Sequence, residues 1–137
     1  MRKLILTAAL LVPICGAEPE RVPQARELRP WEAAMDALDE VNAVRVARGL
    51  RPFVRDDGLT VGARNVAAFR AKHGIEGHTA DDFAGLPDGA RATASGCAAW
   101  EPGLGWGSCC TYENWSYAGA AWCTGRDGRR YMQLFVR

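Results

Sequence analysis

Two histidines, His73 and His78, are the side chains of this chain best suited to acid–base chemistry or metal binding. An imidazole titrates near neutral pH, so a histidine beside a carboxylate can exchange protons with a substrate or help to hold a cation. The two histidines are five residues apart with glycines between them, so they do not share a helical face as a zinc-binding pair would. We interpret His73 as a contact for the carbonyl groups that end a helix, and His78 as an ordinary loop or cavity residue.

Two other roles for His78 stay open. It can work with Glu101 or Glu113 as an acid–base pair or cation site, or the three side chains can line a ligand cavity. The sequence predicts no cofactor, and of the two histidines only His78 is a candidate metal ligand.

Five cysteines are present, and one of them, Cys15, lies in an apolar N-terminal segment. The other four, Cys97, Cys109, Cys110 and Cys123, form an even set, which predicts two disulfides in an oxidising compartment. A bridge between the adjacent Cys109 and Cys110 would be strained, so two pairings remain in which each reaches a different distant cysteine. Zinc ligation and a reactive thiol are the alternative roles for these cysteines.

Aromatic side chains are dense in the segment that contains these cysteines. We interpret them as the core of a disulfide-linked loop, and an exposed subset that forms a platform for sugar rings or an apolar ligand is the alternative. The aromatic residues are Trp100, Trp106, Tyr112, Trp115, Tyr117 and Trp122.

The N-terminus has the features of a secretory signal peptide. Basic residues Arg2 and Lys3 precede an apolar run from Leu4 to Ile14, and small residues at 15–17 offer a cleavage site. The run is too short to span a membrane as a stable helix. We therefore expect residues 1–17 to be removed from a secreted, periplasmic or extracellular protein whose mature chain has no transmembrane segment.

Charge argues against nucleic acid as a partner. The chain has a formal charge of +1, and loss of Arg2 and Lys3 with the leader would bring it to −1. A nucleic-acid-binding surface normally requires a basic excess, which is absent here.

Two helices are predicted to position the candidate residues. Apolar residues at helical spacing indicate one helix from Trp31 to Arg48 and a second from Asp57 to Lys72. The first must end there because Gly49 can take the left-handed backbone conformation and Pro52 cannot continue a helix.

Polar residues on or beside the apolar stripe of the first helix need partners. Asn42 and Arg45 lie at such positions, which predicts that they tie the helix to neighbouring backbone. Residues 18–30, before this helix, are charged and contain prolines, which predicts a flexible arm. Residues 31–137 then form the predicted single domain.

The C-terminal segment predicts a hairpin of two strands, 116–123 and 130–136, around the turn 125–128. Alternate residues of the last strand place apolar side chains on both of its faces, as expected for a central sheet covered on both sides. We therefore expect an α/β fold, a three-layer α/β/α sandwich with an antiparallel central sheet. No long helical pattern follows Lys72, so the second helical layer should be reduced.

The helix–turn–helix region resembles the opening of the CAP superfamily, the cysteine-rich secretory and pathogenesis-related proteins with an SCP-like extracellular domain. The likeness rests on Asn42-x-x-Arg45, Gly49-Leu50-x-Pro52-Phe53, Asp56-x-x-Leu59-x-x-x-Ala63-x-x-x-Ala67 and Gly77-His78, with a weaker one in the hairpin. In that family a cavity gathers two histidines and two acidic residues, and some members bind a divalent cation there. His78 matches the first histidine, Cys97 stands where one acid is expected, and the second histidine has no counterpart.

The resemblance implies a shortened, divergent member of the family whose metal-binding half is replaced by a cysteine- and tryptophan-rich loop. Its expected role is non-catalytic: binding of a lipid, glycan or protein partner outside the cell. The alternatives are an extracellular hydrolase that depends on His78, with or without a metal, and a structural component of the cell envelope.

Overall fold

The computed structural model describes residues 30–137, with side chains from Ala37 onward. The predicted leader and nearly all of the predicted arm lie outside these residues. The elements in chain order are helix α1 (Pro30–Val46), strand β1 (Val54–Arg55), helix α2 (Asp57–His73), a short 3₁₀ helix (Asp82–Gly85), and strands β2 (Ala94–Trp100), β3 (Tyr117–Thr124) and β4 (Arg130–Val136). Within the described range, none of the helices has the length and apolar character needed to cross a membrane.

The ends of both helices follow from local chemistry. Helix α1 stops where Gly49 adopts φ 72°, and the amide of Leu50 then folds back to donate to the carbonyl of Arg45 at 3.0 Å. Asp56 caps the start of helix α2, because its carboxylate accepts from the amide of Leu59 at 3.0 Å. Gly74 closes that helix in the left-handed conformation. The turn that separates the two helices is therefore as the sequence predicted.

The four strands form one sheet in the order β1-β3-β4-β2. Strand β4 pairs antiparallel with both β3 and β2, and the hairpin predicted at the C-terminus is present. Strand β1 pairs parallel with β3, so the sheet is mixed, and the prediction of a wholly antiparallel sheet is wrong in this respect. With only two residues, β1 is too short to show a strand period in the sequence.

One helix packs against each face of the sheet. On one face, Leu38 and Val41 of α1 join a buried cluster with Met132 and Leu134 of β4. On the other face, α2 packs its buried residues against a cluster that includes Phe135 of β4. Alternate residues of β4 thus face opposite helices, which confirms the predicted α/β class.

The two polar residues of α1 bind backbone groups beyond their own helix. Asn42 donates from Nδ2 to the carbonyl of Phe53 at 3.1 Å, and the amide of Phe53 donates back to Asn42 Oδ1 at 2.8 Å. Arg45 is almost fully buried and donates to the carbonyls of Arg51, Thr111 and Glu113 at 2.7–2.9 Å. These contacts connect α1 both to the turn that follows it and to the loop before β3.

Candidate functional site

A cluster of polar and sulfur-containing side chains lies where the connection after α2 meets strand β2 and the loop that follows it. His78 lies in that connection, and Asp82 begins the short 3₁₀ helix. Cys97 is on β2, and Cys109 is in the loop between β2 and β3. The closure of α2 at Gly74 sends the chain toward this strand.

Asp82 is the buried anchor of the cluster. Its Oδ2 lies 2.6 Å from Nδ1 of His78, and only 3% of the residue is exposed. Three further donors reach the same carboxylate: the amide of Thr79 at 3.0 Å, the Thr79 hydroxyl at 2.8 Å, and the Ser95 hydroxyl at 3.2 Å. Burial alone would raise the pKa of Asp82, but the hydrogen bonds from His78 and Thr79 outweigh it and hold that pKa below its usual value. Asp82 is therefore a carboxylate at neutral pH.

The other ring nitrogen of His78 meets a thiol. Nε2 of His78 lies 3.3 Å from Sγ of Cys109. Because Nδ1 faces the Asp82 carboxylate, the imidazole proton belongs on Nδ1, which leaves the Nε2 lone pair free to accept the thiol proton. Asp82, His78 and Cys109 thus form a chain of acid, base and nucleophile. Enzymes that transfer acyl groups activate their nucleophile with this arrangement.

A second row of polar groups holds Asp82 in place. Gln133, fully buried in the middle of β4, donates from Nε2 to the Ser95 hydroxyl at 2.7 Å, and Ser95 lies on β2 next to Asp82. Oε1 of Gln133 is buried and has no hydrogen-bond partner among the described residues. The sheet therefore supports the carboxylate through a relay from Gln133 to Ser95 to Asp82.

The loop that carries Cys109 lies directly on the edge strand β2. A Cβ added at Gly96 would come within 1.9 Å of the carbonyl oxygen of Cys109, so only glycine allows this approach. The Thr111 hydroxyl ties the loop together because it donates to the carbonyl of Ser108 at 2.7 Å and accepts from the Trp106 indole at 3.2 Å. Cys109 is consequently held by a packed loop while its side chain stays exposed.

The same place has a donor set suited to a cation. Ligand atoms of His78, Asp82 and Cys97 lie within 4.8 Å of one another. An imidazole, a carboxylate and a thiolate together suit zinc. Burial raises the pKa of the Cys97 thiol, so in the absence of a metal this thiol stays protonated at neutral pH.

The structure brings together only part of the predicted site. Neither Glu101 nor Glu113 makes a hydrogen bond or ion pair with His78 in the described part of the chain. Glu101 lies 3.8 Å from the guanidinium of Arg129, and Glu113 accepts from the indole of Trp115 at 2.8 Å. His73 is exposed at the end of α2, away from this cluster.

The carboxylate that does reach His78, Asp82, was missed by the sequence reasoning. Its spacing of four residues from His78 was a weak signal, because His78 lies in a loop and only Asp82 belongs to the short 3₁₀ helix. The sequence predicts Cys109 as a disulfide partner, and nothing in the sequence places it beside His78.

All four cysteines outside the leader are free thiols in the structure. Cys97 and Cys110 both have a pKa raised above the usual value by burial, and for Cys110 it reaches about 12. The two disulfides stay a prediction.

Compared with known proteins, the chain matches no family model, no curated protein and no solved structure. The CAP resemblance therefore stays a prediction carried by the motif residues of the helix–turn–helix region.

Proposed function

We propose that this protein is a cysteine-dependent hydrolase in which Cys109 is the nucleophile, His78 the general base and Asp82 the residue that orients the imidazole. One observation carries the proposal: a single imidazole has a buried carboxylate 2.6 Å from Nδ1 and a thiol 3.3 Å from Nε2. Such two-sided contacts are the geometric signature of an activated nucleophile.

The residues would act in sequence on an acyl substrate. Nε2 of His78 takes the thiol proton, and the Cys109 thiolate attacks the carbonyl carbon of an ester, thioester or amide. The same proton then passes to the departing alcohol, thiol or amine, which leaves a thioester on Cys109. Water, deprotonated by His78, hydrolyses that thioester and restores the thiol. Asp82 stays ionised throughout and stabilises the imidazolium.

Exposure of the nucleophile fits this role. Cys109 is exposed, whereas its neighbour Cys110 packs against the hydrophobic core and has a raised pKa. A substrate can therefore reach Cys109 without any opening of the fold, and Cys110 provides a matched control thiol one residue away.

The proposal selects the hydrolase among the roles raised by the sequence, with Asp82 in place of the predicted glutamates. It also requires a free thiol at Cys109, so it excludes the predicted bridge that uses Cys109, and the two predicted disulfides cannot both form. A secreted location and a CAP-like three-layer sandwich with a reduced second helical layer remain part of the proposal. The helix on each face of the sheet and the turn at Gly49 support the sandwich, and the apolar N-terminal sequence is the support for secretion.

A zinc centre is the second candidate, favoured by the closeness of Cys97 to His78 and Asp82. In this arrangement Cys97, His78 and Asp82 would supply the ligands, and the metal would have to displace the proton from the Cys97 thiol. A metal of this kind would polarise a carbonyl or activate water.

The experiment that tests the hydrolase needs no knowledge of the natural substrate. Brief treatment with iodoacetamide at pH 7, followed by peptide mapping, measures the alkylation rate of each cysteine. We expect Cys109 to react fastest, and His78→Ala to slow its alkylation by about tenfold or more because the thiol loses its proton acceptor. Turnover of p-nitrophenyl acetate should be abolished by Cys109→Ser and retained by Cys110→Ser.

Three results would contradict the thiol mechanism. One is equal alkylation of Cys109 in the parent protein and in His78→Ala. Another is turnover that survives Cys109→Ser. The third is turnover lost with EDTA and restored by zinc, which would favour the metal centre.

A further inference from the structure

A second open groove, of about 620 Å³, lies away from the thiol cluster, at the C-terminal end of α1. One wall is the turn that follows α1, including Arg51 and Pro52. The other is the loop before β3, including Tyr112, together with Tyr117 at the start of that strand. None of the residues proposed for acyl transfer lines this groove, so its role is independent of that chemistry.

Arg45 forms part of the groove lining although only 2% of the residue is exposed. Its guanidinium donates from Nε to the carbonyl of Arg51 at 2.8 Å and from Nη1 to the carbonyls of Thr111 and Glu113 at 2.7 Å and 2.9 Å. One side chain thus binds both walls and fixes the distance between them. The groove is therefore built into the fold.

The charge of Arg45 is not balanced by a carboxylate. Its hydrogen-bond acceptors are neutral carbonyl oxygens, its Nη2 has no hydrogen-bond partner among residues 37–137, and its fourth neighbour is the ring of Phe53 at 3.6 Å. Burial of this uncompensated cation lowers the pKa of Arg45. A positive charge in a low-dielectric setting beside an open groove attracts an anion more strongly than an exposed arginine does.

Two further cations stand at the rim. Arg51 lines the groove and is exposed, and Arg48 lies with its guanidinium carbon 3.9 Å from the ring centre of Tyr112. Neither makes an ion pair in the described part of the chain. Glu113 is the one carboxylate of the lining, and it is already engaged by the Trp115 indole at 2.8 Å. The balance of charge around the groove is positive.

Aromatic rings supply the second recognition element. Tyr112 and Tyr117 are 42% and 41% exposed although both line the groove. An arginine lies over one face of each ring, Arg48 at 3.9 Å from the centre of Tyr112 and Arg137 at 4.5 Å from the centre of Tyr117. Each ring is fixed on the covered side and can offer a ligand its opposite face and its polar hydroxyl, which suits ligands that have both apolar faces and polar edges.

We infer that this groove binds an acidic polysaccharide through a sugar ring that carries a carboxylate. The carboxylate pairs with Arg51 and faces the charge of Arg45, and the ring of the sugar lies against Tyr112 or Tyr117. Asn114, a groove residue whose side chain makes no hydrogen bond among the described residues, is available for the sugar hydroxyls. The formal charge of the whole chain is only +1, so the attraction is local to this groove.

The test uses trigalacturonic acid as the probe and calorimetry on the purified protein. We expect the protein to bind this probe. Arg51→Gln and Tyr112→Leu should each weaken the binding by about tenfold or more, because each variant removes one of the two recognition elements. Arg126→Gln is the matched control, because it removes the same charge from an exposed turn at the other end of β3. Amide chemical-shift changes should be confined to residues 49–54 and 111–117.

Two control ligands test the contributions of the carboxylate and of the sugar ring separately. Maltotriose, a neutral trisaccharide, and tricarballylate, a ringless tricarboxylate, should each bind at least about tenfold more weakly than the probe. Equal affinity for either control would overturn the proposal, as would no binding of the probe or equal weakening by Arg126→Gln. Binding to phosphatidylglycerol vesicles that is stronger than binding to the probe and unaffected by Tyr112→Leu would also overturn it and would indicate a membrane surface instead.

Discussion

Asp82 and His78 are joined through Oδ2 and Nδ1 at 2.6 Å, with the carboxylate buried and the imidazole half exposed. This relationship sets the orientation of the ring and directs Nε2 at Cys109.

Replacement of Asp82 by asparagine tests the anchor. The amide cannot stabilise an imidazolium, and its NH₂ group would meet donors from Thr79 and Ser95, so we expect the free energy of unfolding to fall by about 1–3 kcal/mol. Alkylation of Cys109 should slow by about tenfold or more because the tautomer of His78 is no longer fixed. Thermal melts and peptide mapping measure the two effects. Asp81→Asn, an exposed neighbour, is the control and should change neither.

The lowered pKa of Asp82 predicts how the stability of the protein depends on pH. In the folded protein the pKa of Asp82 lies below its usual value. The ionised carboxylate therefore stabilises the fold at pH values above its unfolded-state pKa of about 3.9. That contribution is lost as the pH falls through the lower folded-state pKa. Denaturant titrations should therefore show a stability gap between the parent and Asp82→Asn that is full at pH 6 and smaller at pH 3. A gap that widens on acidification would contradict the assignment.

Gly96→Ala tests the contact between β2 and the cysteine loop. The added methyl group would lie 1.9 Å from the Cys109 carbonyl oxygen, so the loop must move away from the strand. We expect alkylation of Cys109 to lose its dependence on His78, because a displaced thiol no longer meets Nε2. Gly77→Ala, where an added Cβ meets no atom within 4 Å, is the control. Unchanged behaviour of Gly96→Ala would show that the loop does not pack as described.

Arg45→Ala tests the tie between α1 and the rest of the domain. Three carbonyl groups would lose a charged donor, and the contact with Phe53 at 3.6 Å would disappear. We expect a loss of about 2–4 kcal/mol in the free energy of unfolding. Arg48→Ala should cost less than about 1 kcal/mol, because Arg48 is exposed and loses only a surface contact with Tyr112. Similar melting shifts for the two variants would count against this role for Arg45.

The oxidation state of the cysteines decides between the proposed function and the predicted disulfides. Peptide mapping of the non-reduced protein should find a free thiol at Cys109 and, if the leader is removed as predicted, no peptide that contains Cys15. Bridges from both Cys109 and Cys110 to Cys97 and Cys123 would restore the prediction made from the sequence. They would also end the role of Cys109 as nucleophile.

The local features of this protein were determined by its sequence. Gly49 and Pro52 predicted the end of one helix, the spacing of apolar residues predicted the next helix from Asp57, and the alternation from Tyr131 to Val136 assigned the faces of the last strand. Each of these features depends on interactions between residues close in the chain, or on the spacing of apolar residues along one element. No knowledge of distant partners was therefore needed.

Only the tertiary structure decided what surrounds His78. Cys109 is 31 residues away from it and arrives through the packing of a loop against the edge strand β2 at Gly96. Ser95 of that strand reaches Asp82, the partner of His78, from 13 residues away. The parallel pairing of β1 with β3 is likewise a contact between segments more than sixty residues apart. A linear pattern does not encode such distances, because they depend on how helices, strands and loops pack together once each has formed.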